Sequence, residues 1–164
     1  MSRWSAVGVP PFLVDEMLGR LARYLRFVGG DVVYLRGVVD DELLRRSAAD
    51  ARVLLTRDRA LSRRSPNGFL IDSAVLAEQW RAVRRRWPDL PTTVVFERCT
   101  LCNGRLQRRP TDPPPAREAG VPASLLERGG PLYACEACGH LYWDGSHTAR
   151  IRSTIDAWER GLPG

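Results

Sequence analysis

Lysine is missing from this 164-residue sequence, and all 25 of its basic side chains are arginines. Arginine suits planar, two-pronged contacts to phosphate, although a GC-rich coding bias also replaces lysine with arginine. Long apolar runs are missing too. No window approaches the roughly 18 residues that a membrane-spanning helix needs. The opening stretch MSRWSAVGVPPF has no continuous apolar core of the kind a secretory signal carries, so a cytoplasmic location is expected. The strand-to-helix glycine pattern G-x-G-x-x-G is absent after the first strand-like run. The phosphate-binding pattern G-x-x-x-x-G-K-[ST] occurs nowhere, so neither common nucleotide site is supported. A phospho-acceptor receiver domain is disfavoured as well, because it would want a lysine after a late strand.

Present instead is an excess of positive charge, +6 at neutral pH. That balance points to a polyanionic partner, most simply nucleic acid. The first 87 residues alternate between strand-like and helix-like stretches. PFLV (11–14) is followed by EMLGRLARYLRFV (16–28), with apolar residues at Met17, Leu18, Leu21, Leu25 and Val28, a helical spacing. DVVYL (31–35), RVLLT (52–56) and GFLI (68–71) read as further strands. DDELLRRSAAD (40–50) and SAVLAEQWRAVRRRW (73–87) read as helices, with a short helix between RVLLT and GFLI. Strands apolar on both faces and alternating with helices imply an α/β fold with a parallel sheet covered on both sides. Pro88 and Pro91 mark a change of composition, giving one domain over 10–90 and a second module over 91–164. Within the second, PTDPPPAREAGVP (about 110–122) reads as a mobile loop and HTARIRSTIDAWERG (147–161) as a closing helix.

In such a sheet, ligands bind beyond the carboxyl ends of the strands. Asp15, Asp58 and Asp72 follow strands there, and Asp40 opens a helix. Each could simply cap a helix. Several carboxylates converging on one edge would repel, however, unless a divalent cation sits among them. Mg²⁺ held by a few carboxylates, waters and phosphate would suit a phosphodiester-cleaving centre. Arg20, Arg23 and Arg26 recur three apart on the first helix, either as a solvated face or as a phosphate track leading to Asp15. Thr56 could bond an acid or a phosphate, and one of Arg57 and Arg59 could hold substrate phosphate.

Two C-x-x-C pairs, Cys99/Cys102 and Cys135/Cys138, suit one tetrahedral structural Zn²⁺ with no open position. YWDGSH (142–147) follows, where Trp143 could be core or a stacking surface for an unpaired base. His147 could approach substrate or only tie the module together.

The blocks D-E-M-L-G-R-L-A-R-Y-L-R and L-L-T-R-D-R, with C-T-L-C-N and C-E-A-C-G-H-L-Y-W-D-G-S-H, resemble the mut-seven C-terminal RNase family over nearly the whole chain. The resemblance implies a PIN-like three-layer α/β/α nuclease domain followed by a small zinc ribbon. It also implies RNA hydrolysis, with Asp15, Asp40 and Asp58 as Mg²⁺ or Mn²⁺ ligands. Asp41 and Glu42 stand as substitutes for Asp40, and Asp72 as a fourth acid. It favours Arg20, Arg23 and His147 as substrate contacts. RNA is the expected partner, with tRNA, mRNA and rRNA all open. Two alternatives remain: a non-catalytic RNA-binding or ribosome-associated adaptor, and a toxin-like RNase of a toxin–antitoxin pair.

Overall fold

A computed structural model describes residues 8–109 and 120–163. The segment 110–119, which holds most of the expected mobile loop, lies outside the described residues. Four short strands form one parallel sheet in the order β2-β1-β3-β4: β1 (Phe12–Val14), β2 (Val32–Tyr34), β3 (Val53–Thr56) and β4 (Gly68–Leu70). The register pairs Phe12 with Val32 and Val53, and Leu55 with Phe69. Helices α1 (Gly19–Phe27), α2 (Asp40–Ala49) and α3 (Arg59–Arg64) connect successive strands, and α4 (Leu76–Arg86) follows the last. All the strand carboxyl ends therefore share one edge, as the alternation required.

Strand residues alternate between faces, and the packing follows. Phe12, Val14 and Leu55 face a core made with Leu21 and Leu25 of α1, and with Trp80 and Val83 of α4. Leu13 and Leu54 face the opposite side, against Leu43 of α2 and Leu61 of α3. The sheet is thus covered by helices on both faces.

The second module is a three-stranded antiparallel sheet of β5 (Leu106–Arg109), β6 (Leu132–Cys135) and β7 (Leu141–Trp143). A short helix α5 (Ala123–Glu127) and the long α6 (Ser146–Glu159) complete the chain. Helix α6 returns to the parallel sheet's core, burying Ile151, Ile155 and Trp158 beside Trp80 and Tyr24. Arg84 secures that return. It donates to the Leu90 carbonyl at 2.6 Å, to the Pro88 carbonyl, and to Glu159 of α6 at 3.3 Å. It is a clamp between α4 and α6.

Candidate functional site

Asp15 ends β1 and is only 5% exposed. A buried carboxylate has to be answered by donors. Oδ1 accepts the Met17 N–H at 2.9 Å, which caps the short 3-10 helix Glu16–Leu18. Oδ2 accepts the Thr56 hydroxyl, which comes from the neighbouring strand β3. The same Thr56 oxygen accepts the Asp58 N–H at 2.9 Å. A directed chain therefore runs from the Asp58 amide through Thr56 to Asp15, each link polarising the next. No basic side chain of the described residues forms an ion pair with Asp15.

Asp58 is exposed, and its Oδ1 caps α3 by accepting the Leu61 N–H at 2.9 Å. The structure thus joins Asp15 and Asp58 through Thr56. The other two acids are held by arginines. Asp40 lies 3.5 Å from Arg64, which also binds Asp41, and Glu42 is paired with Arg45 and Arg46. The hydrogen bonds from Arg45 and Arg46 hold the Glu42 carboxyl down at about 2. Asp72 pairs with Arg59 at 3.2 Å and lines a separate cleft of about 720 Å³ beside β4, shared with Arg81, Arg85 and Arg86. Among the described residues, no three carboxylate, imidazole or thiolate ligands outside the cysteine cluster come within 4.8 Å of one another.

A cleft of about 490 Å³ opens at the sheet's carboxyl edge. Glu16 and Met17, just after Asp15, line it together with Arg57, just before Asp58. Arg20 and Arg23 enter it from α1, and Tyr34 from β2. A Cβ at Gly19 would lie 2.7 Å from the Tyr34 hydroxyl, so a larger residue there would push the Tyr34 ring aside. The Nε of Arg57 is buried with no hydrogen-bond partner among the described residues. Arg26, one turn further along α1, leaves this face altogether.

Arg26 is instead 5% exposed and crosses to the cysteine module. Nε donates to the Val32 carbonyl at 2.8 Å, and Nη1 to the carbonyls of Thr100 and Leu101 at 3.0 and 3.1 Å. Asn103, at a left-handed φ of 68°, accepts the Val32 N–H at 2.9 Å and donates to Asp31 at 2.8 Å. Asp31 also binds Arg52 and Arg98. Burial alone would raise the Asp31 carboxyl, but the hydrogen bonds from Arg52 and Asn103 bring it below its ordinary value. Arg26, Asp31 and Asn103 thus lock the cysteine turn onto β2. Sequence reading missed that lock. The one available signal was the placement of Arg26 among the apolar positions Leu25, Phe27 and Val28.

The four cysteine sulfurs all lie within 4.8 Å of one another, with Cys99–Cys138 at 3.6 Å and Cys102–Cys135 at 3.5 Å. A tetrahedral zinc site with bonds of about 2.3 Å has sulfur–sulfur edges of about 3.8 Å, so this donor set fits zinc. Gly104 leaves room for it, because a Cβ there would stand 2.8 Å from the Cys135 sulfur. Tyr142 directs its hydroxyl at the Cys99 sulfur, 3.1 Å away, and accepts the Thr100 N–H at 3.0 Å. Burial pushes the Cys99 thiol up, yet the Tyr142 hydroxyl and the backbone N–H groups of Cys102 and Leu101 outweigh it and hold it at about 7. Burial and the neighbouring sulfurs push Cys102 up to about 12. Such crowded thiols favour sharing a cation.

Trp143 and His147 stand apart from the carboxyl-edge cleft. They line a second pocket between α1 and the cysteine module. Asp144, between them in sequence, is turned onto Arg152 at 2.7 Å and onto Thr148 at 2.7 Å.

Fold and site together define an α/β protein with a four-stranded parallel sheet and a four-cysteine cluster suited to zinc. The chain belongs to the Mut7-C RNAse domain family, whose model matches residues 10–155. No curated protein and no solved structure matches it.

Proposed function

We propose that the chain hydrolyses RNA phosphodiesters at the carboxyl edge of its parallel sheet, with residues 10–90 carrying the chemistry and residues 91–164 supporting it. The carrying observation is Asp15, a buried carboxylate at a strand end that has hydrogen-bond donors and no described cationic partner. Burying a charge in that state is costly, and a cation arriving with substrate would offset the cost. Asp15 and Asp58, bridged by Thr56, offer the hard oxygen donors that Mg²⁺ or Mn²⁺ takes alongside waters and phosphate. When bound, such an ion supplies a nucleophilic water at neutral pH and neutralises phosphate charge.

The chain's own residues do the rest. Thr56 fixes the orientation of the Asp15 carboxylate, and the α3 cap fixes that of Asp58. Arg20, Arg23 and Arg57 line the adjoining cleft, where guanidiniums can grip phosphate oxygens two at a time. Arg57, whose Nε has no hydrogen-bond partner among the described residues, joins Arg20 and Arg23 as a candidate donor to phosphate. Asp40, Asp41 and Asp72 are occupied by arginines and do not line this cleft, so no metal-holding role is given to them. The reaction needs no protein nucleophile.

The test is cleavage of labelled RNA with added Mg²⁺ or Mn²⁺ by the wild-type chain and by Asp58→Asn. The variant should lose cleavage at least about a hundredfold, as expected when a preorganised charge at the reacting centre is removed. Its melting temperature and RNA affinity should stay close to wild type. Undiminished cleavage would sink the assignment.

A further inference from the structure

The carboxyl-edge cleft and the pocket beside the cysteine module have one lining residue in common, Arg23. We propose that this pocket receives an unpaired base of a single-stranded RNA whose backbone passes over Arg23 into the cleft. The inference rests on the ribonuclease reading above and extends it to the form of the substrate.

The pocket measures about 380 Å³, within the range of sites that hold small organic groups. Its lining combines flat rings with neutral polar groups. Buried Phe27 forms its floor from α1, while Trp143 contributes a half-buried indole from β7 and His147 an exposed imidazole from α6. The Phe27 and His147 rings lie 6.0 Å apart, and the Arg23 guanidinium sits 5.8 Å from the Phe27 ring. Bases stack on accessible rings such as Trp143 and His147 whatever their sequence, and an arginine plane can add to the stack.

Charge distinguishes this occupant from others. The lining contains no acid, and the neighbouring Asp144 is paired with Arg152 and held by the Thr148 hydroxyl. At the boundary, the exposed Arg23 stands where a backbone phosphate would cross from pocket to cleft. A paired base keeps its faces covered by its neighbours, so only an unpaired, splayed base can lie against Trp143 or His147. Single-stranded substrate follows from that geometry.

The experiment uses the full chain carrying Asp58→Asn, which separates binding from cleavage. Affinity for a fluorescein-labelled decauridylate is measured with and without Trp143→Ala, at one fixed salt concentration. The alanine variant should bind between about fivefold and about a hundredfold more weakly, while Trp143→Phe restores most of the loss. Zinc content and melting temperature identify any variant that fails to fold. For that case, photocrosslinking of a 4-thiouridine decamer to the unmutated pocket reports directly, with adducts expected on residues 140–148. Affinity unchanged by Trp143→Ala, duplex RNA competing as well as single-stranded RNA, or crosslinks confined to other elements would each overturn the proposal. Retention of cleavage by Asp58→Asn would overturn the catalytic reading alone.

Discussion

Replacing Arg26 with methionine removes three hydrogen bonds while keeping most of the side chain's bulk. The acceptors differ in their surroundings. The Val32 carbonyl belongs to a fully buried residue, and leaving it unanswered costs about 1–3 kcal/mol. The carbonyls of Thr100 and Leu101 lie at a turn whose Leu101 is exposed, so water can replace part of those bonds, at about 0.5–1.5 kcal/mol each. Against this, methionine escapes the cost of burying a guanidinium, which burial already depresses below its ordinary pKa. The balance is a loss of about 3 kcal/mol, or roughly 6–12 °C in melting temperature for a chain of this size. Urea unfolding followed by tryptophan fluorescence, on zinc-loaded protein, measures it. Hydrogen exchange at residues 99–103 should quicken in the same variant, since the turn loses its tether. A loss under about 0.5 kcal/mol, with unchanged exchange, would refute the view that Arg26 locks the two modules together.

Two further outcomes follow from the cysteine turn and its anchor. Elemental analysis should find about one zinc per chain, lost in Cys99→Ser/Cys138→Ser, and the metal should leave progressively as acid protonates the thiolates; zinc-free protein from a chelator-free preparation would contradict the assignment. The Asp31 carboxyl is depressed in the folded state, so its contribution is present above the unfolded carboxylate pKa and disappears as pH falls through the folded value. Asp31→Asn should therefore be less stable than wild type at pH 7 and nearly equal to it at the acid end. Parallel stability–pH curves for the two proteins would exclude that linkage.

Periodicity carried the parallel sheet because each strand is apolar on both faces, and it placed Asp15 and Asp58 correctly at strand ends. Asp15's donors were beyond it. The hydroxyl that holds Asp15 comes from Thr56, 41 positions away, and only the β1–β3 register brings the two side by side. Charge spacing failed at Arg26 for a related reason. A helical period of three spreads residues over a broad arc, so Arg20 and Arg23 reach the cleft while Arg26 turns under the neighbouring module. Nor could spacing reveal which acids are already spoken for. In sequence Asp40 and Asp72 stand at element junctions as Asp58 does, but Arg64 and Arg59 reach them from α3. Helix α6 was legible as a helix, yet its burial of Trp158 against Trp80 depends on a chain reversal that local pattern does not encode.

β2 lies at the outer border of the parallel sheet, where an open peptide group invites pairing with a strand from another molecule. At Val32 that invitation is withdrawn, because Asn103 takes its N–H and Arg26 its carbonyl, standing in for a fifth strand. Asn103 directly follows Cys102, so the turn that gathers the thiols also presents its side chain to β2. The cysteine turn thus covers part of an exposed sheet edge as well as shaping its own module, and a change that released the turn would leave the Val32 peptide group open to another strand.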